Sequence, residues 1–231
     1  MRKYSEFLGV DEVVVRDNLD KLIDVSTGVE EYRGAFYNLG VELGKLLRAS
    51  QAKMDFSKVV LACSVEDADW LASGVLRGID DDGMSVSVFW NSRERLGDGT
   101  VLAPIINSFQ EELAGKNTII MVKSIISTSC VVKTQLLRLI SHVDPDRIFI
   151  VAPVMYKDAR ASLQSEFVEE INDIMEFISF AVDDELGKDG AVIPGIGGMI
   201  YPRLGLGNST EKNKHFPRLV SERMRRKKSH F

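Results

Sequence analysis

Three short loops carry the side chains most able to do chemistry. One follows the apolar run Lys58–Cys63 and sets Glu66, Asp67 and Asp69 within four positions, next to Ala68 and Trp70. A second, Lys123–Cys130, follows the run Thr118–Val122 and crowds Ser127, Thr128 and Ser129 before a helix-forming stretch. Backbone N–H groups at such a helix start can gather an anion, and Lys123 could meet a phosphate as a point charge. The third follows Glu176–Val182 and is the glycine-rich Gly187–Gly198, where absent Cβ atoms let a ligand lie against main chain. Other candidates are weaker. His142, His215 and His230 are scattered without metal-ligand spacing, so no metal site is expected. Cys130 begins a helix, a place that can depress a thiol pKa, but it has no neighbouring His to form a nucleophilic pair. Trp70 could stack on a ligand or pack in the core.

These loops need a scaffold, and its rhythm is regular. In Val29–Arg48 the residues Tyr32, Phe36, Leu39, Leu43, Leu46 and Leu47 recur at helical steps. Strands are expected at Lys58–Cys63, Ser85–Asn91, Thr118–Val122, Arg147–Ala152 and Glu176–Val182. Helices are expected at Asp67–Arg77, Ala103–Ala114, Val131–Ile140, within Lys157–Ile171, and at Asp11–Ile23. Strands apolar on both faces, alternating with helices, imply a doubly wound α/β domain with a parallel sheet. In such sheets ligands sit beyond the carboxyl ends of the strands, where the three loops fall.

The whole chain has 231 residues, 45% hydrophobic and 27% charged, ample for one globular core. No apolar run is long enough to span a bilayer. The start MRKYSEFLGVDEVVV has acids where a secretion signal needs an apolar core, and the two cysteines offer no disulfide framework. A reduced, cytoplasmic protein is expected. The net charge of −5 hides an asymmetry: residues 211–231 carry +6, leaving −11 on residues 1–210.

The order of these features resembles the type I phosphoribosyltransferases, most closely the uracil phosphoribosyltransferases. Gly187–Gly198, with Val192-Ile193-Pro194-Gly195-Ile196-Gly197-Gly198, is similar to that family's uracil-reading G-x-I-V-P-G-L-G-D segment. Thr118–Leu137 resembles its diphosphate-ribose loop, Tyr32–Leu47 its F-R-x-x-x-x-E-I-G-x-L-L helix, and Lys58–Arg77 the elements around its L-R-A-G pyrophosphate loop. Val88–Leu113 looks like its β-arm. The resemblance covers about residues 29–207. It implies a dimer, magnesium and 5-phosphoribosyl pyrophosphate as cofactor and substrate, and base contacts through Ile193, Pro194, Gly195, Gly197, Gly198 and Arg203.

The departures fall on the chemistry. Lys123 stands where the family has the ribose-gripping acid. Ser127, Thr128, Ser129 and Cys130 replace A-T-G-G, so both glycines of the phosphate nest are gone. The family's pyrophosphate-loop Arg falls on Glu66, followed by Asp67, Ala68 and Asp69. After the base loop, Gly198-Met-Ile-Tyr-Pro-Arg203 has no acid. The resemblance therefore implies a non-catalytic binding or assembly subunit. The alternative is an active phosphoribosyl or ribosyl transferase for a pyrimidine base or nucleotide, its site rebuilt from Glu66, Asp67, Lys123, Thr128 and Arg203. Degenerate relatives of the family occur beside reverse transcriptases in retron antiviral systems. The chain divides into an N-terminal segment 1–28, a core 29–207 and a basic tail 208–231. In that tail Arg223, Arg225, Arg226, Lys227 and Lys228 are candidates for nucleic-acid or protein contact.

Overall fold

The computed structural model describes residues 1–6, 9–95, 97, 101–188 and 190–228, and for 95, 101, 227 and 228 the backbone alone. In chain order its elements are β1 (Lys3–Tyr4), α1 (Glu12–Ile23), α2 (Val29–Ser50), β2 (Val59–Ser64) and α3 (Val65–Asp67). A π-helical turn, Ala68–Ala72, leads into α4 (Ser73–Ile79). Then come β3 (Ser85–Asn91), β4 (Glu94–Arg95), β5 (Val101–Leu102), β6 (Ile105–Gln110), β7 (Thr118–Val122), β8 (Ile125–Ile126) and α5 (Cys130–Ile140). The remainder is β9 (Arg147–Tyr156), α6 (Ala159–Gln164), α7 (Glu169–Asp173), β10 (Met175–Asp183), β11 (Glu185–Leu186), β12 (Val192–Ile193), α8 (Ile200–Arg203) and α9 (Arg218–Lys228).

The main sheet runs β1-β10-β9-β7-β2-β3-β6, with β8 added beside β9. Strands β10, β9, β7, β2 and β3 are parallel; β1 and β6 run antiparallel at the edges. Strand side chains alternate faces, and two cores follow. Val59, Leu61 and Cys63 of β2 join Leu19 of α1, Phe36 and Leu43 of α2 and Val75 of α4. Val60 and Ala62 join Leu136 of α5 and Leu163 of α6 on the other side. The α/β class expected from the sequence is the one found.

Two packing details fix the site. Helices α2 and α4 cross backbone to backbone: a Cβ on Gly40 would strike the Leu71 carbonyl, and one on Gly78 the Val41 carbonyl. This contact sets the turn between β2 and α4, with Glu66 and Asp67. Described residues of the segments 1–28 and 208–231, divided off in the sequence, enter the core on that side. Val15, Leu19 and Leu22 of α1 are fully buried there, as are Leu219 and Val220 of α9 to within a few per cent. Asp11 caps α1 by accepting from Val13 N at 3.0 Å and Val14 N at 3.2 Å.

One expectation fails. Ala103–Ala114 holds β6 instead of a helix, paired antiparallel to β3 from Ser87↔Gln110 to Asn91↔Ile105. Its apolar residues fit a helical spacing too, but Ile105 and Ile106 are β-branched and β3 would otherwise lie unpaired at the sheet edge. Strand β9 also runs on to Tyr156, beyond Ala152.

Candidate functional site

The carboxyl ends of β2, β3 and β7 meet around a buried group of charges. Glu66 and Asp67, in the first turn after β2, are 3% and 2% exposed. Lys123, just past β7, places its Nζ 3.0 Å from Glu66 Oε1 and 2.6 Å from Asp67 Oδ2. Ser124 donates its backbone N–H to Asp67 Oδ1 at 3.2 Å. The second cation comes from far along the chain. Lys212, 3% exposed, donates to Glu66 Oε2 at 3.3 Å and to the Asn91 carbonyl at 3.0 Å. Two carboxylates and two ammoniums cancel.

Protonation follows from these contacts. Burial alone would raise Glu66, but Lys123 and Lys212 outweigh it and hold its carboxyl at about 2. Burial and the neighbouring Glu66 charge push Asp67 up, against the pull of Lys123. Burial would lower the Lys123 ammonium, yet Asp67 and Glu66 keep it well above the ordinary lysine range. Tyr201 lies beside the cluster, its hydroxyl pushed up to about 12 by burial and then by Glu66. An anion arriving here finds both lysines committed. Each carboxylate it met at about 4 Å would repel it by roughly 4 kcal/mol under a typical near-surface dielectric.

The second loop is filled in the same manner. Ser129, at the N-cap of α5, is buried and donates its hydroxyl to Glu166 Oε1 at 3.0 Å. Lys133, one turn into α5, pairs with the other oxygen of Glu166. A carboxylate supplied by the chain thus lies beside the start of α5, where an anion is favoured. The Lys133 and Ser129 hydrogen bonds hold Glu166 below its usual range. Thr128 is exposed and Ser127 half-buried. Cys130 departs from expectation: burial raises its thiol, with the Arg93 and Lys133 charges opposing.

In the third loop the main chain is engaged internally. Gly195 donates its N–H to Asp183 Oδ2 at 2.9 Å, and its carbonyl accepts from Arg2 at 2.6 Å. Arg2 grips Asp183 with Nε and Nη2 at 2.9 and 2.8 Å, and Asp183 is fully buried. Tyr32 donates its hydroxyl to the Ile196 carbonyl at 2.8 Å. Arg203, expected at the base, instead reaches the Leu22, Asp24 and Gly197 carbonyls and lies 4.1 Å from the centre of the Tyr32 ring. Ile193, Gly198 and Met199 are exposed, and Pro194 half-buried.

Between these loops lies a cavity of about 210 Å³, lined by Glu66, Arg93, Lys123, Ser127, Val192 and Tyr201 among others. Of the residues expected at the site, Glu66, Lys123, Ser127 and Gly198 line this cavity, Asp67 pairs with Lys123 beside it, and Ala68 is buried in the core. Sequence reasoning missed Lys212, Glu166, Arg2 and Asp183. Only the opposed charges of body and tail hinted at Lys212. Among the described residues no group of His, Cys, Asp and Glu is arranged to hold a metal ion.

The tail is docked. Arg223 is buried, donates to the Met84 carbonyl at 3.2 Å and lies 3.5 Å from Glu111; Arg226 pairs with Asp82 at 3.0 Å. Arg225 is exposed, and the Lys227 and Lys228 side chains lie outside the described residues.

No family model and no curated protein matches the chain. Solved structures do. The AQ2163 protein from Aquifex aeolicus superposes with a TM-score of 0.69 at 17% identity, over 85% of this chain and 96% of that one. The two share a fold. Adenine phosphoribosyltransferase from Leishmania donovani matches at a TM-score of 0.48 and 11% identity, over 81% of this chain and 90% of its own. Hypoxanthine-guanine phosphoribosyltransferase from the same organism matches at 0.42 and 11%, over 73% and 90%. No helix of the described residues is long and apolar enough to cross a membrane.

Proposed function

We propose that this chain is a phosphoribosyltransferase-like protein that does not carry out phosphoribosyl transfer and serves as a binding or assembly subunit, as a homodimer within a nucleic-acid-associated complex of the retron antiviral kind. One observation carries the first half of this reading. Lys123, Glu66, Asp67 and Lys212 neutralise one another where a magnesium-bound pyrophosphate would have to be held. A transferase needs that place to offer uncommitted positive charge or a metal-binding surface to the leaving group, and here Lys123 and Lys212 are already shared between carboxylates. Glu166 beside the start of α5 supports the same conclusion for the 5′-phosphate. The binding role draws on the cavity of about 210 Å³ beside Tyr201 and Lys123. The nucleic-acid role draws on the exposed basic side chains of α9, Arg218, Arg225 and Arg226.

A turnover assay with 5-phosphoribosyl pyrophosphate, magnesium and each of uracil, cytosine and the purine bases tests the first half. The expected result is no pyrophosphate release above the uncatalysed rate; release with any base restores the active reading. Purification of the native complex at low salt tests the second. Co-purifying nucleic acid that Arg218→Ala with Arg225→Ala removes is expected, and its absence refutes that role.

A further inference from the structure

The acidic body and basic tail meet along one seam, and the contacts there have the form of a plug in a socket. Lys212 Nζ sits among Glu66 Oε2 at 3.3 Å, the Asn91 carbonyl at 3.0 Å and Asn213 Oδ1 at 3.2 Å, with the Tyr201 ring centre 5.2 Å away. The Glu66 carboxylate, the Asn91 carbonyl and the Tyr201 face, outside the 208–226 stretch, make a recognition box for an alkylammonium, to which Asn213 on that stretch adds an oxygen when closed. Three residues on, the His215 ring stacks on Trp70, centroids 6.2 Å apart and planes 11° from parallel, and its Nε2 lies 2.9 Å from Asp69 Oδ2. Trp90 Nε1 donates to the His215 carbonyl at 3.0 Å, and the Leu219 N–H to Asp69 Oδ1 at 3.0 Å. Before this stretch the chain is an exposed connection in which Gly205 and Gly207 take φ of +68° and +71°. At a φ of +71° a side chain on residue 207 would be strained, so the bend favours glycine there.

The hold is mostly polar. Leu219 and Val220 are its buried hydrophobic anchors, whereas the strands beneath are packed on both faces. Segments held by few apolar contacts open at lower free energy than the core they lie on. We infer that residues 208–226 form a hinged strap whose Lys212 plugs an alkylammonium box beside the cavity, and that the strap opens without unfolding the sheet. Opening removes one cation from the cluster, leaving Glu66 and Asp67 to share Lys123. The closed site is neutral; the open one carries a net negative charge and takes a primary amine, whether free or on a partner's lysine side chain. This device stands independently of the loss of transfer proposed above.

Hydrogen exchange on the full chain, read residue by residue, tests it, with tryptophan emission as a second signal because both tryptophans of the chain touch the strap. The Leu219 amide is expected to exchange through a denaturant-independent opening, about a hundredfold or more faster than the amides of β2 and β7. Lys212→Ala should speed that exchange by about ten- to a hundredfold, the worth of lost charge-assisted hydrogen bonds, and leave β2 and β7 unchanged. Millimolar n-butylammonium should return the variant's exchange and emission toward wild type, and n-butanol should not. If Leu219 exchanges only with global unfolding of wild type, the strap is an integral part of the fold and the inference fails, even where Lys212→Ala does not fold. It fails equally if n-butylammonium leaves a folded Lys212→Ala unaltered.

Discussion

The two ends of the same parallel sheet handle charge in opposite ways. At the amino ends, Arg147 of β9 pairs with Glu176 of β10 and Asn117 donates to Asp146, all in contact with solvent. A hollow of about 580 Å³ opens there, larger than the cavity at the other end, yet its lining is the exposed surface of loops and strand starts. At the carboxyl ends, Glu66, Asp67, Asp183, Lys123 and Lys212 are buried. Charges are not buried to stabilise a fold, because taking them from water costs several kcal/mol per ion before pairing returns it. Arg223, buried against the Met84 carbonyl just before β3, is a single charge at the other end. The cluster of five at the carboxyl ends falls where this architecture places a polar ligand. The mutual pairing of Glu66, Asp67, Lys123 and Lys212 is what the proposed loss of transfer rests on. The larger hollow lacks buried charge; the smaller one, walled in part by compensated charge, is the candidate site.

Breaking the carboxyl-end compensation should have the largest effects. Lys123→Met strands the buried Asp67, leaves Glu66 with Lys212 alone, and should cost about 3–5 kcal/mol in urea unfolding, the usual loss when one partner of a buried pair is removed. Arg147→Met at the amino end should cost about 0–1 kcal/mol, as exposed pairs do. Equal costs would erase the contrast. Arg2→Ala leaves Asp183 buried without its partner and frees the Gly195 carbonyl. A loss of about 3 kcal/mol is expected, with faster exchange of the Gly195 amide than of β7.

Acid sharpens the comparison further. Glu66 titrates at about 2 in the folded chain against an ordinary 4.5, so below pH 4.5 the unfolded chain takes up its proton first. Stability from this group is complete above about 4.5 and lost as pH falls toward 2. Asp69 and Glu166, also lowered, act in the same sense, and Asp67, raised, opposes them. Melting temperature should fall across that window, and Lys212→Met should flatten the fall by raising the folded-state pKa of Glu66. A parallel slope in wild type and variant would separate Lys212 from Glu66. The smallest effect concerns the phosphate nest. Ser129→Gly with Cys130→Gly should bind no inorganic phosphate while Glu166 remains. Adding Glu166→Gln should permit millimolar binding by calorimetry.

Much of this was legible in sequence, for physical reasons that also set the limit. Apolar runs such as Thr118–Val122 announce buried strands because both faces must be covered. The rule that ligands lie past strand carboxyl ends located Glu66, Lys123 and Ser127. Residues 103–114 misled because their apolar spacing suits either period, and only the open edge of β3 decides between them. The closure of the site was hidden for another reason. Lys212 reaches Glu66 across 146 positions and Arg2 reaches Asp183 across 181. Local pattern carries no information about such partners. The charge asymmetry showed that the tail wanted acids; nothing in it showed that those acids were in the same chain.

The proposed loss of transfer rests on the chain's own charges filling the candidate site. Calorimetric titration of wild type with 5-phosphoribosyl pyrophosphate and magnesium, with and without uracil, tests it most directly. Absent or millimolar binding is the predicted result. Micromolar binding would contradict it, because the ligand would then have displaced Lys123 and Lys212 from Glu66 and Asp67 at little cost.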